Sequence, residues 1–259
     1  MSRSERLRLS DRRDIERRTL EIASILRERG YTPVVMGEFI VDPLELKTTQ
    51  THIESDKLGL VLKKTLFEKY SAPIVVVVGK NATKYIIDGH HRALVSLWLR
   101  QPVKAFLINT PAYIPGFSTS LHKVKFINPA DTPRELMVWR HMVNTIHFLE
   151  EVHDLIAHLW FEDIKLTELK PTQRLVDAMA GVQAIVDEPI LVYNYRGSYY
   201  VVDGHKRVCK NLLLDRERIL AIVFTLDGTK IGIVERAEMI EDIFTKEACR
   251  KIFQSSISS

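Results

Sequence analysis

Apolar positions along the chain follow two periods. Between Asp11 and Arg29, Ile15, Thr19, Ile22 and Leu26 share one face of a 3.6-residue repeat and Gly30 follows, which predicts an amphipathic helix closed by a C-terminal glycine. Short apolar runs such as Ile74 to Val78, Val103 to Ile108 and Ile219 to Phe224 predict buried strands. Stretches 53–70 and 175–186 predict helices, each ending before the proline that opens the next strand. Thr132-Pro-Arg-Glu135 carries a capping box with proline at the first helical position. Val138, Met142, Thr145, Leu149, Val152, Ile156 and Leu159 then recur with heptad-like spacing, predicting a long helix over 132–160 that bridges two halves or packs against a second copy.

The halves are copies. Pro73-Ile-Val-Val-Val-Val, followed by Tyr85-Ile-Ile-Asp-Gly-His-His-Arg92, returns as Pro189-Ile-Leu-Val-Tyr, followed by Tyr199-Tyr-Val-Val-Asp-Gly-His-Lys-Arg207. The two Asp-Gly-His motifs stand 115 residues apart, too far for a solenoid array and right for a duplicated domain. Upstream, Phe39 to Gln50 matches Phe161 to Gln173, so the unit reads strand, loop, helix, hairpin, helix, strand. The expected organisation is an N-terminal helix (1–32), a first α/β unit (33–131), the connecting helix (132–160) and a second unit with C-terminal helices (161–259). Asn109 to Asp131, with three prolines and a glycine, predicts a long functional loop over a site.

Composition narrows the class. With 259 residues, 46% of them hydrophobic, the chain can bury a core, which excludes a fibrous or disordered protein. Lysine and arginine number 37 against 33 aspartates and glutamates, a formal charge of +4 that permits a phosphate-bearing partner without requiring one. Cys209 and Cys249 are too few for a disulfide framework, and Cys209 is expected to be a small buried apolar residue. The first residues lack a signal-peptide core and no apolar run approaches the ~20 residues of a membrane span, so a cytoplasmic protein with no membrane partner is expected. On the stretch from Asp11 to Arg29, Arg12, Arg13, Arg17 and Arg18 read as a solvated face, with nucleic-acid contact as the alternative.

Both motifs close a strand with Asp-Gly-His and pass directly into a helix. Glycine permits the tight turn and the close approach of a ligand, and the first helical amides have no intrahelical acceptors. That junction favours an anion, and Arg92 adds a planar fork for phosphate oxygens while His90 and His91 add donors. The bland alternative is that Asp88 caps the helix, His90 packs and Arg92 faces solvent. His147, Glu151, Asp154 and His158 form a stripe of potential metal ligands, read instead as a polar face with ion pairs.

Strand, hairpin, Asp88-Gly-His-His-Arg-Ala93 and helix, preceded by Phe39 to Gln50, resemble the ParB/sulfiredoxin superfamily over roughly 39–108 and again over 161–224. The resemblance implies an α/β (α+β) fold of two ParB/sulfiredoxin-like units joined by a long helix. It also implies nucleotide-phosphate contacts at Gly89, His90, His91 and Arg92 and at Asp203, Gly204, His205, Lys206 and Arg207. Sulfiredoxin chemistry is absent, because His90 and His205 stand where that enzyme has cysteine. The spelling is closest to the free-serine kinases, which implies transfer of a phosphoryl group from ATP or ADP with Mg²⁺ to a small hydroxyl compound such as serine. Asp88 would then sit beside the transferred group or its Mg²⁺. Those kinases carry a catalytic glutamate where this chain has Gln50 and Gln173; Glu54 or Asp88 is the candidate replacement. A DNA-associated ParB-like protein, binding or cutting nucleic acid with nucleotide as a switch, is the rival, supported by a pI near 9.0. A homodimer is a further expectation.

Overall fold

The computed structural model describes residues 7–173, 187–240 and 244–254, so the helix expected over 175–186 lies outside the described residues. The chain divides into two compact units, Met1–Asp154 and Leu155–Ser259.

Unit 1 opens with α1 (Arg12–Glu28), whose capping box is built by Asp11 and Asp14 and whose buried face is Ile15, Thr19, Ile22, Ala23 and Leu26, as the periodicity predicts. Strands β1 (Val34–Val41), β2 (Leu46–Thr48) and β3 (His52–Glu54) lead to α2 (Ser55–Glu68). The hairpin β4 (Ile74–Val78) and β5 (Lys84–Asp88), then α3 (His90–Trp98) and β6 (Val103–Asn109), complete the repeated part. Two short strands follow, β7 (Thr119–Ser120) and β8 (Lys125–Ile127), and α4 (Met137–His153) ends the unit. The main sheet runs β1-β6-β4-β5-β2-β7. Alternate residues of β4 and β6 turn to opposite faces: Val75, Val77, Phe106 and Ile108 pack under α1, while Ile74, Val76, Ala105 and Leu107 fill the other side.

Unit 2 contains β9 (His158–Lys165), β10 (Leu169–Lys170), β11 (Ile190–Tyr195), β12 (Ser198–Asp203), α5 (His205–Leu213), β13 (Arg218–Thr225), α6 (Gly232–Ala237) and α7 (Lys246–Gln254). Its sheet order, β9-β13-β11-β12-β10, repeats β1-β6-β4-β5-β2 strand for strand. Pairing directions repeat as well, antiparallel for β1 with β6 and β9 with β13, parallel for β6 with β4 and β13 with β11. Even an irregularity is copied: the hairpin register slips between Val75 and Val76 opposite Asp88, and between Leu191 and Val192 opposite Asp203. The duplication read from the sequence is therefore one of topology and register in an α+β fold.

Three local expectations are corrected. The helix expected over 132–160 is shorter and stays in unit 1: a 3₁₀ turn at Arg134–Leu136 precedes α4, which closes at Asp154 in a left-handed conformation, and Trp160 lies in β9. The capping box fails because the Thr132 hydroxyl is drawn away to the buried Asp56 carboxylate, 2.9 Å distant. Segment 109–131 adds structure to the sheet, with β7 on the edge of β2 and β8 beside β3. Cys209 is buried but not a thiol: it forms a disulfide with Cys249, Cα atoms 5.3 Å apart, which ties α5 to α7 inside the unit 2 core. Spacing of 40 residues hides that pairing from the sequence.

Closing a 40-residue loop with this bond removes chain entropy from the unfolded state worth about 4 kcal/mol. Thermal denaturation of a Cys209→Ser, Cys249→Ser variant is expected to show unit 2 destabilised by that order, and alkylation before reduction is expected to label neither cysteine of the native chain. Labelling of both would remove the bond.

Candidate functional site

Each copy makes the same junction. Gly89 and Gly204 sit between strand and helix with φ of 95° and 105°, a conformation costly for any side chain, and neither helix start has a side-chain cap. Space excludes a side chain too: a Cβ on Gly89 would lie 2.5 Å from Ile74 Cγ2, and one on Gly204 would lie 2.5 Å from Ile190 Cγ2. The aspartate before the glycine pairs with the arginine four residues on, Arg92 Nη2 to Asp88 Oδ2 at 2.9 Å and Arg207 Nη2 to Asp203 Oδ2 at 2.6 Å.

A threonine and a histidine lock the loop that faces this turn. In unit 2 the Thr172 hydroxyl donates to the Val201 carbonyl (2.6 Å) and the Thr172 amide donates to His205 Nε2 (3.0 Å), which sets that imidazole's proton on Nδ1. In unit 1 the Thr49 hydroxyl donates to the Ile86 carbonyl (2.7 Å) and lies 3.5 Å from His90 Nε2. His90 and His205 are thus committed to the frame and are almost wholly buried. The sequence had shown the lock without its meaning, since Thr49-Gln50 and Thr172-Gln173 recur at matching places.

The copies part at the arginine. In unit 2 Arg207 Nη1 donates to the Pro189 carbonyl, so both ends of the guanidinium are occupied. In unit 1 Arg92 has the same grip on aspartate and the Tyr70 hydroxyl beside its guanidinium; its side chain is 10% exposed, and its Nη1 is buried with no hydrogen-bond partner among the described residues. A buried guanidinium nitrogen without an acceptor is costly unless a ligand supplies one.

Arg92 is one of the residues lining a cavity of about 110 Å³, with Asp88, Gly89, His90 and His91 beside it, Gln50, Lys57, Val61 and Tyr70 as walls and Leu9 and Ser10 as roof. Tyr70 holds the roof by donating to the Ser10 carbonyl at 2.8 Å. Through Ser10, Lys57 and Asp88 the cavity adjoins a groove of about 380 Å³ along α1, lined by Arg8, Arg17, Arg18, Asp14 and Glu21. The groove's cations are largely answered: Arg8 and Arg17 pair with Asp14, and Arg18 pairs with Glu21. Lys57 and Tyr70 were not singled out in the sequence; both come from α2 and its exit, brought over the motif only by tertiary packing. Glu54 ends β3 just before α2 and does not line the cavity, and no residue of 109–131 does. Among the described residues no cluster of three or more histidine, cysteine, aspartate or glutamate side chains has the form of a metal site; His147 meets Glu151 at 3.5 Å and stacks on Phe126, while His158 lies in β9.

Burial sets the charge of the histidines. It lowers His90 to about 4, against an opposing pull from Asp88, and lowers His91 to about 3, helped by Lys57 and His90. His205 falls to about 4 for the same reason, against Asp203. All three are neutral near pH 7, so the positive charge in the cavity comes from Arg92 and Lys57. His91 uses one ring nitrogen on the Glu54 backbone carbonyl and leaves Nε2 buried without a partner among the described residues.

No family model matches the chain, and no curated protein matches it. Among solved structures, protein Atu1540 from Agrobacterium tumefaciens aligns with 19% identity over 33% of this chain and 42% of that one, at a TM-score of 0.25. So partial a likeness bears on neither fold nor site.

Because folded-state values lie below the ordinary 6.5, the unfolded chain takes up protons first as pH falls, so stability contributed by neutral His90, His91 and His205 is full above about pH 6.5 and is lost towards pH 4. Urea midpoints measured from pH 7 down to 4 are expected to decline, with a smaller decline in a His205→Gln variant, and the three imidazole resonances are expected to stay in their neutral positions from pH 8 to 5. Titration of these resonances near 6.5 would contradict the burial.

Proposed function

We propose that unit 1 binds the phosphates of a nucleotide at the start of α3 and transfers a phosphoryl group to a small hydroxyl compound, while unit 2 keeps the same frame as a structural copy. The observation that carries the reading is Arg92 Nη1, a buried cation donor with no hydrogen-bond partner among the described residues, on a side chain that lines a cavity at an uncapped helix start. Helix amides and a guanidinium together favour an oxyanion, and the charge-assisted contacts are stronger than neutral ones. Lys57 stands at the opening toward the groove, where further phosphates would lie. Arg207, by contrast, is spent on Pro189 and Asp203, which favours the first copy as the binding unit.

Phosphoryl transfer asks mainly for position and charge neutralisation. Under this reading the amides after Gly89 and the Arg92 fork hold the phosphates, and Asp88, at the mouth and 37% exposed, orients the acceptor hydroxyl. Asp88 is also the one carboxylate among the described residues that line the cavity, which fits a Mg²⁺ carried in on phosphates, since such an ion takes only one or two protein carboxylates. The ion would neutralise phosphate charge there. Glu54, outside the lining, is the weaker candidate for a proton acceptor.

Calorimetry with ATP and ADP, with and without Mg²⁺, tests the assignment. Arg92→Ala is expected to weaken binding by about ten- to hundredfold, the range for losing a hydrogen bond to a charged group, whereas Arg207→Ala should leave affinity within about twofold and lower stability instead. Equal affinity in wild type and Arg92→Ala would refute the phosphate assignment. For the transfer step, nucleotide turnover indifferent to serine and related alcohols would refute it while leaving binding intact.

A further inference from the structure

Two residues that line the cavity each carry a buried polar atom with no partner among the described residues, and the two atoms are of opposite kind. Arg92 Nη1 can only donate. His91 Nε2 is buried and without a partner among the described residues, and the other ring nitrogen is engaged with the Glu54 carbonyl. A carbonyl takes a proton, so the proton sits on that other nitrogen and Nε2 offers a lone pair. The groups that face this ring keep it so: Lys57 from α2, and His90 and Arg92 from α3, all oppose a positive charge on it. A lone pair beside an oxyanion repels it, unless the ligand itself supplies a hydrogen.

We infer that His91 is a specificity residue whose Nε2 accepts a hydrogen bond from an O–H carried next to the bound oxyanion, so that the site selects hydroxyl-bearing ligands over bare oxyanions. This rests on the oxyanion reading of the same cavity. The hydroxyl has two sources of one chemistry: the proton of hydrogen phosphate, or the alcohol of an acceptor seated beside a phosphate. In either case the ligand's oxygen donates to Nε2 while its neighbouring oxygens receive Arg92 and the helix amides. Leaving a buried acceptor opposite a ligand that lacks the hydrogen carries the penalty of an unmade bond, and sites built this way discriminate strongly.

Phosphate and sulfate have the same shape and, near neutral pH, differ chiefly in one proton, so they are the probes. With the full-length chain at pH 7.5, inorganic phosphate is expected to bind about five- to hundredfold more tightly than sulfate, the factor for one unmade buried hydrogen bond. His91→Gln, whose amide can turn either a donor or an acceptor inward, should bring the two within about twofold. His91→Phe, which offers neither, should do the same if it folds. A sulfate titration repeated with saturating serine identifies the second source: tighter sulfate binding with serine in wild type, lost in His91→Gln, places the hydroxyl on the acceptor. Phosphate and sulfate bound alike with no effect of serine would overturn the inference and leave the oxyanion site standing. Discrimination that survives in His91→Gln would overturn it too. Binding of neither ion would bring down the site and, with it, the inference.

Discussion

One backbone angle governs each half of this chain. Where β5 and β12 end, the strand must turn into a helix within a single residue, and only a positive φ at Gly89 or Gly204 does so against the isoleucine of the neighbouring strand. From that turn the rest follows. It brings an aspartate at the strand end and an arginine in the first helical turn within hydrogen-bonding distance. It leaves the first helical amides without intrahelical acceptors, and beside it a threonine and a histidine fix the loop after β2 or β10.

Duplication makes the difference between the copies informative. Both retain glycine, aspartate, arginine, histidine and threonine in the same relation, so these residues are explained by the frame alone. What unit 1 adds is an arginine nitrogen without a partner among the described residues and a roof from the segment before α1, and what unit 2 adds is a proline carbonyl that closes the same nitrogen. The frame is thus shared, and the surroundings of the arginine differ. Neutral buried histidines sharpen the distinction: His90 and His205 serve the wall, whereas His91, with Lys206 in its place in unit 2, is the variable member.

Periodicity and repetition carried most of the fold. The buried face of α1, the apolar runs of β4, β6 and β13, and the two motif junctions follow from residue spacing, because short-range geometry decides them. Expectations failed where a distant partner competed. Asp56 took Thr132 from its expected cap, the heptad pattern ran on past His153 into residues that pair as β9, and Cys249 reached Cys209 across forty positions. At the site, the motif named the floor of the cavity but not its walls. Lys57, Tyr70 and the Leu9-Ser10 roof have no local signature, since their roles arise only when α2 and the entry to α1 pack over the junction.

The bond between Cys209 and Cys249 lies wholly within the second unit. During synthesis the chain emerges from its N-terminal side, so the first unit, with its cavity, can assemble before either sulfur is available and without any oxidant. Closure of the second unit waits until α7 has been made. The two halves therefore mature under different chemical requirements, and a cell compartment's thiol balance acts on one of them alone.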